Sequence, residues 1–250
     1  MCITCDKVIT ILIHKMNIDR LSTKVFTMKH ILIVFLCTLI FQAKAQTKTN
    51  TVEESDPKAK SILDKIKKQY DSYRSFEIDF VMTIEGEGKK EIQKGTLTQA
   101  ADAYKLTLPN QILISDNKAT WYYLKKRNEV QINTVNTKTK NEIMSPKTLL
   151  NQYREGKYIF AITGEGLEGK KTAYFIEFKP KDRNSDITKL RVAVDKKTEE
   201  IISLKTFSRD GMRVLIVVNR LTTNKKYPAD TFTFNAANYP GIKVEDLRID

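Results

Sequence analysis

Few residues in this chain could act as nucleophiles, acid–base catalysts or metal ligands outside its first 45 positions. The cysteines and histidines all precede residue 46: Cys2, Cys5, His14, His30 and Cys37. A lone C-x-x-C pair at Cys2 and Cys5 cannot make a structural zinc site, which needs four ligands. From residue 46 onward the sequence therefore lacks the parts of a Ser-His-Asp triad, a cysteine nucleophile or an ordinary zinc or haem site.

Carboxylate pairs and one glycine motif are the remaining candidates for chemistry. Glu53/Glu54 and Glu85/Glu87 lie in a polar tail and a turn, where solvated surface carboxylates are expected rather than a glycosidase pair. Gly164-x-Gly166-x-x-Gly169 matches a nucleotide-binding pattern, but it lies between two predicted strands and lacks the helix N-terminus that holds phosphate. We interpret it as a hairpin turn. No enzyme activity, cofactor or metal is predicted, and a carboxylate hydrolase stays as an alternative.

The first 45 residues have the pattern of an export signal. A basic start at Met28 precedes an apolar run of 11 residues, Ile31–Phe41, and Ala43-Lys44-Ala45 has the A-x-A form of a cleavage site. The run is shorter than the roughly 20 residues of a membrane span, so we favour a cleaved signal peptide over a retained anchor. We predict an overlong start at 1–27, a signal peptide at 28–45 cleaved after Ala45, a flexible N-terminus at 46–55 and one domain at 56–250.

The formal charge of +13 would suit nucleic acid, anionic lipid or acidic protein partners. Export removes nucleic acid from these partners. The lysines are scattered along the sequence, so an ordinary solvated basic surface is the simplest interpretation.

Two amphipathic helices are predicted. Asp56-Pro57 is typical of an N-cap followed by proline at the first helical position, and the apolar residues that follow recur at helical spacing to Tyr73. Ser145-Pro146 begins a second, shorter helix in the same way. The apolar faces of the two helices contain Ile62, Leu63, Ile66, Tyr70, Pro146, Leu149, Leu150 and Tyr153.

Between and after these helices the apolar residues alternate with polar ones. Phe76, Ile78, Phe80, Met82 and Ile84 show the period of two that is typical of a half-buried strand. Turn residues separate about eleven such segments, the last at Phe232–Phe234. The pattern predicts an α+β domain in which a curled antiparallel sheet packs against two helices. It leaves open whether the apolar strand residues form a packed core or line a cavity, with a core as the commoner case.

Several motifs together resemble the outer-membrane lipoprotein carrier family, LolA. They are Pro109-x-Gln111-x-Leu113-Ile114-Ser115-Asp116, then Ala119-Thr120-Trp121-x-Tyr123, then Phe178-x-Pro180-Lys181, and Pro240-Gly241-Ile242 near the end. The resemblance extends over about residues 58–250. Two departures indicate a divergent member: Asn117 replaces the usual glycine, and the segment 99–106 lacks the family's Arg-Pro pair, whose arginine latches the lid.

The resemblance implies an incompletely closed antiparallel barrel with a helical lid over an apolar cavity. The lid is the set of helix residues named above. The residues expected to line the acyl-chain cavity are Phe76, Ile78, Phe80, Met82, Leu97, Tyr104, Leu106, Ile112, Ile114, Trp121, Tyr123, Val130, Ile132, Tyr158, Phe160, Tyr174 and Ile176.

The implied function is a periplasmic carrier that shields lipoprotein acyl chains. As a monomer, it would take acylated lipoproteins from an inner-membrane ABC transporter to an outer-membrane acceptor. A periplasmic sensor and a carrier of another lipid, both on the same fold, remain alternatives.

Overall fold

The computed structural model describes residues 55–135 and 145–248. The predicted overlong start (1–27), the signal peptide (28–45) and residues 46–54 of the predicted N-terminal tail lie outside the described residues. These described residues contain two α-helices, α1 (Pro57–Ser72) and α2 (Pro146–Arg154). The strands are β1 Ser75–Gly86, β2 Lys89–Ala100, β3 Ala103–Thr107, β4 Gln111–Ser115, β5 Ala119–Leu124, β6 Glu129–Thr134, β7 Tyr158–Glu168, β8 Lys171–Pro180, β9 Ile187–Asp195, β10 Ile201–Ser208, β11 Arg213–Thr223 and β12 Lys243–Asp246.

Both helices begin at the caps that the sequence predicts. The Asp56 carboxylate accepts a hydrogen bond from the Lys58 amide at 2.7 Å. The Ser145 hydroxyl accepts one from the Thr148 amide at 3.1 Å. Each cap satisfies an amide that the first turn leaves without a helical partner, and proline follows at a position that needs no amide.

The twelve strands form one sheet in the order β12-β6-β5-β4-β3-β2-β1-β11-β10-β9-β8-β7. Neighbours run antiparallel, apart from β12, which runs parallel to β6. The central pairing joins β1 to β11, with Phe76 opposite Thr223 and Met82 opposite Ile216. Strands β7 and β12 end the order and do not pair with each other, so the sheet curls without closing. The predicted α+β fold with an incompletely closed antiparallel barrel is confirmed.

The helices pack on one face of the sheet, which we call the concave face. Tyr70 of α1 meets Phe76 of β1 edge to face, with 5.5 Å between ring centres. Tyr153 of α2 meets Phe160 of β7 at 5.0 Å. Phe178 on β8 is fully buried in the same cluster. Burial of these rings and of the apolar helix faces is the main source of stability in this part of the molecule.

The opposite, convex face is covered in part by the segment after β11. Phe234 stacks on Tyr239 with 4.7 Å between ring centres, and both rings contact Tyr123 of β5. Asn128 donates to the Pro240 carbonyl at 3.0 Å, which holds the segment beside β6. Val130, which lies opposite Tyr123 in the ladder, is completely buried.

Two details of the predicted strands were wrong. Phe232–Phe234 forms no strand: Ala229–Phe232 is a 3-10 turn, and the Phe234 ring fills space against Tyr123 instead of extending a ladder. The last strand is Lys243–Asp246.

The prediction that the whole glycine motif, residues 164–169, forms a turn was also wrong. Gly164 and Gly166 lie inside β7, and the turn is made at Gly169, whose φ is 61°. A side chain at Gly166 would sit 3.2 Å from the Phe175 ring, so glycine here makes room for an aromatic side chain of the adjacent strand.

Replacement of Tyr123 by alanine tests the convex contact. We expect Tyr123→Ala to lower the free energy of unfolding by about 3 kcal/mol, because it removes a buried ring that two other rings contact. The neighbouring Tyr122→Ala is the control, since Tyr122 is part-exposed and should cost about 1 kcal/mol. Urea denaturation of both variants measures the difference, and equal losses would contradict the arrangement.

Candidate functional site: an apolar cavity on the concave face

An apolar cavity of about 420 Å³ lies on the concave face beside the start of α2. It is bounded by β1, β2 and β3 on one side and by β9, β10 and β11 on the other. Its lining consists of Ile78, Phe80, Met82, Leu97, Leu106, Leu108, Ser145, Pro146, Ile187, Ile201, Leu204, Thr206, Ser208, Met212, Val214, Ile216 and Val218.

The register of the strands brings these residues together. Phe80 lies opposite Val218, and Met82 lies opposite Ile216. Ile216 lies in turn opposite Leu204 of β10. Side chains that face each other across a ladder project from the same side of the sheet, so alternate residues of the three strands form one continuous apolar wall.

The cavity opens at the turn between β10 and β11. At its inner end Ile78 and Leu97 are only 3% and 4% exposed, whereas Met212 in the turn is 38% exposed. We call this end the cavity mouth. Only serine and threonine hydroxyls contribute polar side chains to the described lining, and no titratable side chain does. Such a lining favours an apolar ligand, since burying a charged group in it would be costly.

Five of the predicted cavity residues line the cavity, and so does Pro146 from the predicted lid. The five are Ile78, Phe80, Met82, Leu97 and Leu106.

A second group of predicted cavity residues lies on the concave face but belongs to the packed core under the helices, or lies against it. The helix residues other than Pro146 are buried in that same core. This group consists of Phe76, Tyr104, Tyr158, Phe160, Tyr174 and Ile176 on the strands, with Ile62, Leu63, Ile66, Tyr70, Leu149, Leu150 and Tyr153 on the helices.

A third group projects from the convex face, away from the cavity. Leu97, Leu106 and Leu113 lie side by side across the ladder and define the concave side. Ile114 is one residue further along β4, and a shift of one residue places a side chain on the other face of a sheet. The group consists of Ile112, Ile114, Trp121, Tyr123, Val130 and Ile132.

Much of the lining was missed in the sequence. Leu204 and Thr206 on β10 alternate with outward-facing residues, so the period of two was visible there. Val214, Ile216 and Val218 on β11 lie in a continuous apolar run, in which no period of two separates the two faces. The pairing of β11 with β1 was not visible in the sequence, because the two strands are separated by more than a hundred residues.

Asp64 connects the two helices. Its carboxylate accepts hydrogen bonds from the Tyr153 hydroxyl at 2.8 Å, from the Arg154 guanidinium at 3.0 Å and from the Lys60 ammonium at 2.6 Å. The bond from Lys60, together with those from Tyr153 and Arg154, outweighs partial burial and lowers the pKa of Asp64 below its usual 3.8. Burial and the adjacent Asp64 carboxylate raise the pKa of Tyr153.

Helix α2 is also held to the sheet at its first turn. The Lys147 ammonium donates to the Ala101 carbonyl at 3.0 Å, in the turn between β2 and β3. That turn lies in the segment 99–106, which has no Arg-Pro pair. Here the cation comes from the helix and the acceptor from the sheet.

Across 55–135 and 145–248, no group of three or more histidine, cysteine, aspartate or glutamate side chains is arranged to hold a metal ion. Neither helix in those ranges has the length and apolar character needed to cross a membrane.

The open sheet, the two covering helices and a cavity whose described lining is uncharged define a class of half-barrel proteins with an apolar hollow. The family model for outer membrane lipoprotein carrier protein LolA matches residues 71–235. The chain therefore belongs to the LolA family. A comparison with curated proteins finds no significant match.

Similar solved structures have low sequence identity to this chain. An uncharacterized conserved protein from Thermus thermophilus superposes with a TM-score of 0.50 at 9% identity, over 77% of this chain and 99% of that one. A putative outer membrane lipoprotein-sorting protein domain from Vibrio parahaemolyticus gives 0.42 at 13% identity, over 69% and 95%. The Pseudomonas aeruginosa MucA/MucB complex gives 0.36 at 12%, over 72% and 62%.

Gly95 lets the cavity wall pack closely against Phe80 and Leu108, so its replacement should destabilise the protein. A Cβ at this position would lie 2.5 Å from the Phe80 ring and 2.8 Å from a Leu108 methyl group. We expect Gly95→Ala to lower the free energy of unfolding by about 1–3 kcal/mol through overpacking. Gly164→Ala, at another strand glycine with open space around it, should change it by less than about 0.5 kcal/mol. Chemical denaturation compares the two, and a harmless Gly95→Ala would contradict the packing.

The Asp64 contact should be sensitive to acid. A carboxylate with a lowered folded pKa stabilises the protein above its unfolded value, and this contribution is lost as pH falls through the folded pKa. We therefore expect Asp64→Asn to cost about 1 kcal/mol at pH 6, and the difference from wild type to shrink below about pH 4.

Urea denaturation at pH 6 and pH 3 measures this difference. The control is Asp71→Asn, which removes a carboxylate of α1 that pairs with Lys67 on the same helix. A penalty for Asp64→Asn that stays constant down to pH 3 would show that its charge is not responsible.

Proposed function

We propose that the protein binds lipoprotein acyl chains in the apolar cavity and carries them across the periplasm. The observation that supports this most directly is the uncharged lining of the cavity, which opens to the surface at Met212. Its volume of about 420 Å³ lies within the usual range of ligand sites, about 300–1,000 Å³. Membership of the LolA family agrees with a carrier role.

The energetics of transfer suit a cavity of this kind. Each methylene group removed from water contributes about 0.8 kcal/mol, so one long acyl chain gains about 10 kcal/mol before the costs of binding. No bond has to be made or broken for such binding. A carrier also has to release its cargo, and the flexible thioether side chains of Met82 and Met212 can repack as a chain enters or leaves.

The proposal extends to the route and the partners. We infer export through the signal peptide at 28–45, with residues 56–250 acting as one carrier domain. An inner-membrane ABC transporter would supply the acylated lipoprotein, and an outer-membrane acceptor would receive it. Helix α2 would serve as the movable part of the lid, because Pro146 borders the cavity. The hydrogen bond from Lys147 to Ala101 would hold this lid closed.

Substitutions inside the cavity test the binding site. We expect Ile216→Asp to weaken binding of a fluorescent long-chain fatty acid at least tenfold, because the carboxylate would be desolvated against the acyl chain. Val214→Trp tests the same site without adding a charge, since the indole would occupy the space that the ligand needs. The matched control is Ile92→Asp, on the convex face, where the side chain is 63% exposed.

Two measurements decide the outcome. Fluorescence titration gives the dissociation constants, and circular dichroism confirms that each variant is folded. Wild-type affinity in folded Val214→Trp would place the ligand elsewhere and overturn the proposal. Native mass spectrometry of protein purified after export then identifies the cargo, since free phospholipid without any acylated lipoprotein would indicate a carrier of another lipid.

A further inference from the structure

Three cations surround one aromatic ring on the convex face of the sheet. The Lys189 ammonium lies 4.6 Å from the centre of the Phe207 ring, and the Lys205 ammonium lies 5.4 Å from it. The Arg213 guanidinium carbon lies at 5.9 Å. We call these four residues the basic patch.

Strand register explains why the patch forms. Phe207 of β10 lies opposite Lys189 of β9 and opposite Arg213 of β11. Lys205 precedes Phe207 by two residues, so its side chain projects from the same face. Four residues from three strands therefore converge on one surface, in an arrangement that no single stretch of sequence displays.

The positive charge of the patch is only partly balanced. The Glu177 carboxylate pairs with Lys189 at 3.3 Å and with Arg191 at 2.5 Å, so a single anion is shared by two cations. Arg213 lies opposite Glu85 in the β1–β11 ladder, and the Glu85 carboxylate pairs with Lys90 at 3.3 Å. Within the described residues, no carboxylate lies at ion-pair distance from Lys205 or Arg213. Their contacts with the Phe207 ring are weak attractions at an exposed site, and their mutual repulsion remains. An external anion would relieve that repulsion.

The basic patch and the cavity mouth share the β10–β11 hairpin. Thr206 and Ser208, which flank Phe207 in sequence, line the cavity on the other face of the strand. Val214, next to Arg213, does the same. Met212 adds an exposed apolar side chain at the turn. A surface that bound the patch would therefore lie close to the opening of the cavity.

We propose that the basic patch docks the protein on an anionic phospholipid bilayer, with the cavity mouth next to the membrane surface. The choice of a bilayer as the occupant rests on the proposed function, since apolar cargo starts and finishes its route at a membrane. Cations with an adjacent apolar side chain suit the negative surface of such a bilayer. The patch itself is independent of whatever occupies the cavity.

Vesicle flotation tests the proposal with protein purified after export. We expect binding to vesicles of phosphatidylglycerol and phosphatidylcholine, little binding to phosphatidylcholine alone, and loss of binding at about 0.5 M salt. The double variant Lys205→Gln/Arg213→Gln should bind the anionic vesicles roughly tenfold to thirtyfold more weakly. The control is Lys118→Gln/Lys170→Gln, which removes the same charge from two exposed turns.

Equal weakening in the two double variants would overturn the proposal, because net charge and not the patch would then govern binding. Patch-dependent binding of an acidic peptide without vesicle binding would also overturn it, in favour of an acidic protein partner. Fatty-acid titration of Lys205→Gln/Arg213→Gln should give wild-type affinity. Failure of vesicle binding with intact fatty-acid binding would defeat the docking proposal alone, and the reverse result would defeat only the proposed function.

Discussion

A wide curled sheet covered by two short helices is the constraint on which the other features depend. Helix α1 has 16 residues and α2 has nine, so they extend about 24 Å and 14 Å. Twelve strands of the described residues present a concave face, and the helices share a buried core with β7, β8, much of β9 and the start of β1. The uncovered part, between β1–β3 and β9–β11, stays open as the cavity.

The charged side chains that hold the helices or form the basic patch all lie outside the described lining of the cavity. The described lining of the cavity contains no titratable side chain, so a ligand there meets only hydrocarbon, sulfur and a few hydroxyls. The carboxylate of Asp64 is used where the helices meet, and the ammonium of Lys147 where α2 meets the sheet. The cations around Phe207 project from the opposite face. Because a single sheet separates them, an apolar cavity and a basic surface can lie within one hairpin of each other.

The convex face near β4–β6 holds the C-terminal region, and the sequence motifs in these strands do not indicate this role. Trp121 and Tyr123 belong to the segment that most resembles the carrier family, yet they project away from the cavity. Tyr123 holds the chain that follows β11, through Phe234 and Tyr239. In this segment Tyr123 therefore contacts the C-terminal region, while the cavity is built largely from strands with weaker motifs.

By itself, the sequence determined the elements of the fold. The caps at Asp56 and Ser145 and the period of two in β1 identified both helices and nearly all strands, because capping and alternation are local properties. It also excluded histidine and cysteine chemistry beyond residue 45. The tertiary structure alone decided which apolar residues line a cavity. Phe80 and Phe160 have the same pattern in sequence, but α2 covers Phe160 and leaves Phe80 at an open space. Ile114 and Leu113 differ by one position and lie on opposite faces, and this depends on the register between strands. That register and the reach of the helices are set by contacts between distant parts of the chain, which no local pattern contains.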